Sequence, residues 1–356
     1  MFSNFNFNED IETWITYYYE MYQCHDSMPK VFFYETTFQG LAGTSYTFFN
    51  NDSTNAPSPQ MLHRAVLKGD VKTLKRCIDA NVPVDTRDNE NTTALILACR
   101  YNQYECAKLL LEHGADPSAQ RMTGTNSLCY AAQGGYYSLV QLLLKYGANI
   151  EDCGIDGGTP FLLACQCNHL SVAQALLDIN AEFKQAMIDS STPMYVAAQN
   201  GHSKIVSYLI SQGADINIKR PDNTTPLFIA CQNGHTALVK DLVNWGANLN
   251  VNRKDGCTPL FKASQKGYLN IVKFLLSNGA YSGLLKNGES PLHAAAYCGH
   301  IKVIKALVEA GANIFLKNKS GVTPLAKAFE GGHQIATRYL QRIQTEKSGG
   351  ASTSYS

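Results

Sequence analysis

Residues 225–247 read TPLFIACQNGHTALVKDLVNWGA, and this stretch decides the fold. Thr225 is a good helix N-cap, because its hydroxyl accepts one of the orphan backbone N–H groups of the first turn. Pro226 suits the first helical position, where its missing N–H would have had no partner. Ala230 and Cys231 are small, so a second helix can approach closely there. Gly234, just before His235, ends the first helix in a left-handed cap. Val239, Leu242 and Val243 then fall at helical spacing, and Gly246 before Ala247 closes the second helix. The stretch therefore predicts two short helices joined by a tight turn.

Working outward, the same punctuation returns in both directions. Thr93-Ala94-Leu95 recurs as Asn126-Ser127-Leu128, Thr159-Pro160-Phe161, Thr192-Pro193-Met194, Thr258-Pro259-Leu260, Ser290-Pro291-Leu292 and Thr323-Pro324-Leu325. The spacing is 33 residues, except 32 between Thr258 and Ser290. Counting back from Thr93 reaches Gln60-Met61-Leu62-His63, a degenerate first copy without the Thr-Pro cap, which makes nine units. Small pairs (Ala131-Ala132, Ala197-Ala198, Ala295-Ala296), Gly-His turns (Gly201-His202, Gly299-His300, Gly332-His333) and Gly-Ala stops (Gly114-Ala115, Gly147-Ala148, Gly213-Ala214, Gly311-Ala312) keep their offsets.

This pattern resembles the ankyrin repeat, with its Thr-Pro-Leu-His-x-Ala signature and matching period. The resemblance covers roughly residues 58–344. It implies an all-α repeat solenoid of about nine stacked units, each a helix–turn–helix with a β-hairpin loop, curved so that the first helices line a concave face. It also implies that Asn217 and Asn250, two residues past Asp215 and Asn248, match the asparagine that an asparaginyl hydroxylase modifies in many such repeats.

The ends of the chain read differently. Residues 1–57 hold 15 of the 36 aromatic residues and carry a net charge of −6, against +7 for the remainder. Ile11, Trp14, Ile15, Tyr18, Tyr19 and Tyr22 fall at helical spacing, with Asn8 as a cap and Glu9, Asp10 and Glu12 at the positive helix end. Residues 9–23 are expected to form a capping helix on the basic first unit; the other reading is an arm whose aromatics await a partner. Val31–Phe38 is β-prone, and Asn50–Pro59 reads as a linker. The ninth unit reads as a polar cap, with Arg338, Gln341, Arg342 and Gln344 on its second helix, and residues 345–356 as a flexible tail.

Composition narrows the function. The chain has 356 residues, a net charge of +1 and no apolar run of membrane-spanning length. No nucleic-acid or membrane partner is expected from such a balance. Residues 1–10 do not read as a signal peptide, so a cytosolic or nuclear monomer is expected, with its eleven cysteines reduced. Cys99, Cys165 and Cys231 recur 66 residues apart, about 20 Å in a stacked array and beyond disulfide reach. The Gly-His histidines read as parts of the turn. In Cys165-x-Cys167-x-His169 the cysteine and the histidine should point different ways, so no metal and no cofactor are expected. No phosphate loop, dinucleotide fingerprint or nucleophile elbow appears, which weighs against an enzyme.

A protein partner is what remains. Gln133, Gln166, Gln199, Gln232 and Gln265 occupy one position in five consecutive units, and would offer amide groups about 10 Å apart along the first-helix face. The plainer reading is solvated filler. Arg100, Tyr101, Tyr130, Lys262, Lys266 and Tyr297 share that surface, and Tyr and Arg are common interface anchors. The loop tips are acidic over 85–90, 151–156 and 182–189, and basic from Lys219 onward. The sequence thus points to an adaptor or scaffold. The rival is a substrate-recognition subunit that recruits an enzyme through residues 1–57.

Overall fold

The computed structural model describes residues 56–349, apart from Phe183. The helix expected over 9–23 and the β-prone Val31–Phe38 lie outside the described residues. The array forms a unit of its own from Pro57 onward.

Among the described residues nine helix pairs follow one another: α1 Pro59–Leu67 and α2 Val71–Asp79; α3 Ala94–Arg100 and α4 Tyr104–Glu112; α5 Ser127–Gly134 and α6 Tyr137–Lys145; α7 Pro160–Gln166 and α8 Leu170–Asp178; α9 Pro193–Asn200 and α10 Ser203–Ser211; α11 Pro226–Asn233 and α12 Thr236–Asn244; α13 Pro259–Lys266 and α14 Leu269–Ser277; α15 Pro291–Tyr297 and α16 Ile301–Glu309; α17 Pro324–Glu330 and α18 Gln334–Gly349. Each first helix packs on its own second helix and on the first helices of its neighbours. Two helical layers result, with one hydrophobic core running between them from Leu62 to Leu340.

The caps are those the residue types predict. The Thr159, Thr192, Thr225, Thr258 and Thr323 hydroxyls each accept the backbone N–H three residues on. Asn126 does the same with its amide oxygen, at 2.9 Å from the Cys129 nitrogen. The fifth residue past each cap is alanine in all eight units after the first, and Ala98, Ala131, Ala164, Ala197, Ala230, Ala263, Ala295 and Ala328 are wholly buried. A larger side chain there would push the two layers apart, since the interior is close-packed. Gly201 and Gly234 close their helices with φ near +80°, a conformation that costs other residues a steric clash. In α3 and α7 the same position falls to Asn102 and Asn168, also left-handed.

Three expectations are corrected. The first unit does have a cap: Ser58 accepts the Met61 N–H at 3.2 Å and Pro59 takes the first helical position, so the cap stands two residues before the aligned Gln60. The loops are turns and not paired strands; among the described residues the only bridge is the isolated Gln120–Asn126 pair. Each loop reverses within five residues, as where the Arg220 N–H meets the Thr224 carbonyl, which leaves no length for a ladder. The last helix continues beyond Gln344 to Gly349, supported by an Arg342–Glu346 ion pair one turn apart.

Candidate functional site

The first-helix face is locked from one unit to the next by its turn residues. The ring Nε2 of His169, His202, His235 and His300 lies 2.8–3.1 Å from the backbone carbonyls of Gln133, Gln166, Gln199 and Gln265 in the preceding unit. A carbonyl only accepts, so Nε2 carries the proton in each ring. These four turn histidines therefore do more than end a helix: they staple neighbouring units. Burial holds the His202 pKa below its usual 6.5, against the opposing pull of the Gln166 carbonyl, and nearby His235 and His169 add to the lowering. His169 is committed in this way, and Cys165 lies in the core.

All five glutamine side chains of the row are half-buried at one register. The turn staples fix the backbone beneath four of them. Tyr101 and Tyr297 are exposed, and Arg100 and Lys266 half-exposed. Tyr130 and Lys262 are buried, which leaves them little to offer a partner. Tyr130 instead accepts from Arg121 at 2.8 Å and lies beneath the Arg100 guanidinium. The signal that places it inside is the larger neighbourhood of Arg121 and Arg100, invisible in its own repeat.

At the turn tips a second ladder joins the units. The N–H of Met122, Ile155, Ile188, Lys254, Lys286 and Lys319 each donates to a carbonyl of the tip before it, at 2.8–3.0 Å. Pro221 falls in this series and has no N–H. There the Arg220 guanidinium takes over: its Nη2 reaches the Asp189 carbonyl at 2.5 Å while the group stacks 4.8 Å over the Tyr195 ring. Arg253 lies over Phe228 in the same way, 5.8 Å from the ring centroid. Sequence reading missed these substitutions, although aligning the nine copies exposes Pro221 as the odd member.

Asn217 and Asn250 also join units. Their side-chain oxygens accept the backbone N–H of Asn248 at 2.8 Å and of Tyr281 at 3.1 Å, 31 residues on. The cysteines at the small-residue position, Cys99, Cys165 and Cys231, are wholly buried. Desolvation pushes the Cys99 thiol up to about 12 and raises Cys165 and Cys231 as well, which keeps them protonated and poor nucleophiles. Open grooves lie between second helices, as at Tyr104, Lys108, Ser138 and Gln141 and at Thr236, Lys240, Asn270 and Lys273. Among the described residues no helix is long and apolar enough to cross a membrane.

The model of the family described as ankyrin repeats (3 copies) matches residues 41–121, 128–220, 218–284 and 281–348. The chain belongs to the ankyrin-repeat family. Such repeats are protein–protein interaction modules. Similar proteins include putative ankyrin repeat protein L371 of Acanthamoeba polyphaga mimivirus, 42% identical over 67 residues, 19% of this chain and 8% of that protein. Putative ankyrin repeat protein YahD of Escherichia coli strain K12 is 36% identical over 72 residues, 20% of this chain and 35% of that protein. Human ankyrin repeat domain-containing protein 13C is 34% identical over 84 residues, 24% of this chain and 15% of that protein. The chain thus spans about a third or less of the length of these relatives, a likeness of repeat units and not of whole proteins.

Proposed function

We propose that this chain is an adaptor or scaffold without catalytic activity of its own, which binds a partner protein across the first-helix face and the turn tips. The observation that carries this reading is the glutamine row. Five glutamines stand half-buried at one register, with the Gln166 amide oxygen turned inside, and four of the backbone carbonyls beneath them are held by the next unit. A surface fixed in this way loses little conformational entropy when a partner docks. The buried thiols fit a reducing compartment, so we place its work in the cytosol or nucleus, as a monomer.

Replacing Gln199, Gln232 and Gln265 together with alanine is expected to weaken partner binding about tenfold, or roughly 1.4 kcal/mol, with the melting temperature unchanged. Calorimetry against the isolated partner measures the first and a thermal scan the second; equal affinity returns the row to solvated filler. The rival role, in which residues 1–57 recruit an enzyme, is tested by comparing proteins captured by the full chain and by residues 58–356. Loss of an enzymatic partner on truncation favours the rival. Asn217 and Asn250 are proposed hydroxylation sites, and intact mass after co-expression with the hydroxylase reads their occupancy.

A further inference from the structure

The tip residues just described form a row with a division in it. Met122, Ile155 and Ile188 occupy one register position in successive units, and each is more than half exposed, at 59%, 56% and 56%. Lys254, Lys286 and Lys319 hold the same position in the units beyond, and all three are exposed. Single exposed apolar side chains are ordinary on a protein surface. Here three stand in a line on consecutive rungs of one hydrogen-bonded ladder, and three ammonium groups continue the line. Pro221 alone separates the halves.

The geometry sets the shape of what fits. Stacked helices sit about 8–10 Å apart, so the row offers one contact at about that interval. A polyproline-II segment has three residues per turn and rises about 3.1 Å per residue, roughly 9 Å per turn. Every third residue of such a segment meets one tip. A regular α-helix advances only about 5.4 Å per turn and drifts out of step. Charge sets the chemistry. The basic half calls for carboxylates: Asp255, next to Lys254, is already paired with Arg253, whereas Asp156 and Asp189, next in sequence to Ile155 and Ile188, set negative charge beside the apolar half. A nucleic acid, uniformly anionic, matches only one half of this row.

Resting on the scaffold reading, we infer that the turn tips bind an extended segment of a partner protein. That segment carries apolar side chains at every third position over one stretch and acidic side chains at every third position over the next. The apolar stretch lies along Met122, Ile155 and Ile188, one turn spans Pro221, and the acidic stretch meets Lys254, Lys286 and Lys319.

The test uses the full chain and a synthetic proline-rich peptide of seven turns. Leucine stands once in each of the first three turns, and glutamate once in each of the last three. The peptide is made in both chain directions, and binding is read by fluorescence anisotropy. One direction is expected to bind, and to lose about tenfold in affinity to the triple variant Met122→Ser, Ile155→Ser, Ile188→Ser. The triple variant Lys254→Glu, Lys286→Glu, Lys319→Glu is expected to weaken it similarly and to flatten its salt dependence. Circular dichroism checks that both variants fold, as exposed sites should allow. Absence of binding in both directions, equal binding of a peptide with its turns shuffled, or equal affinity of either folded variant overturns the inference. The glutamine triple variant separates the two readings. If it loses a protein partner that the tip variants retain, the scaffold stands and the tip row falls.

Discussion

At the scale of single residues, the array depends on polar groups that reach across unit boundaries. Arg220 is the clearest case, because it stands in for the N–H that Pro221 removes. Arg220→Ala leaves the Asp189 carbonyl without that donor and uncovers the Tyr195 ring. A loss of roughly 1–3 kcal/mol is expected, the cost of an orphaned acceptor. Pro221→Ala restores a backbone donor at the same rung, so it should be nearly silent alone and should recover part of the loss in the double variant. Hydrogen exchange of the amides around residues 187–227 measures this coupling, and strict additivity would refute it. The histidines give a second prediction. His63, His202 and His293 all have pKa values lowered from 6.5, chiefly by burial. In the unfolded chain these rings take a proton more readily than in the fold. Their contribution is complete above the unfolded pKa of 6.5 and is lost as pH falls below it. Urea midpoints should decline between about pH 7 and pH 5, and His202→Gln should reduce that decline.

At the scale of the element, one position shows how stacking decides what a helix tolerates. The residue six past the cap is Cys99, Ala132, Cys165, Ala198, Cys231, Ser264 and Ala296 in successive units, and each is wholly buried. In α17 it is Phe329, which is 78% exposed. A ring at this position fits only where no following unit closes over it. Cys231→Phe is therefore expected to cost roughly 1–3 kcal/mol or more by overpacking, whereas Phe329→Ser should stay within about 0.5 kcal/mol. Chemical denaturation of the two variants checks the contrast, and similar losses would contradict it. This division also explains what was legible beforehand. Caps, small pairs and Gly turns act within a few residues, so helix pairs such as α11 and α12 could be read from residue types alone. The staple from His202 to Gln166 joins residues 36 apart in sequence, and no local pattern announces it. Burial of Tyr130 and Lys262 depends on what neighbouring units bring over them. The Ser58 cap was hidden because a strict 33-residue register pointed to Gln60, where residue chemistry should have overruled counting. The glutamine register was plain in sequence; the tip row became visible only when exposure singled out Met122, Ile155 and Ile188.

At the scale of the whole array, stability is a sum of unit and nearest-neighbour contributions, because the main helix contacts among the described residues join each unit to those beside it. Such an array can lose an internal unit and still close. Deleting residues 192–224 joins Ser191 to Thr225, removes α9 and α10 in full, and leaves every remaining helix its cap. The new junction brings Cys165 beside Cys231 and Ala164 beside Ala230, pairs of like size at wholly buried positions. The N–H of Lys254, which now meets the Asp222 carbonyl, would meet that of Asp189 at the equivalent rung. The shortened chain is expected to fold, with circular dichroism falling only in proportion to the two lost helices. Its consequence for binding is more demanding. The deletion takes out Pro221 and draws the basic tips about 8–10 Å closer to the apolar ones. A peptide with a blank turn between its leucine and glutamate stretches should then bind more weakly, and one lacking that turn should bind more tightly. The preference should be reversed in the intact chain. A general attraction between acidic peptides and lysines would give both peptides the same affinity for both proteins. Only a fixed register along the tips makes peptide length follow the number of units.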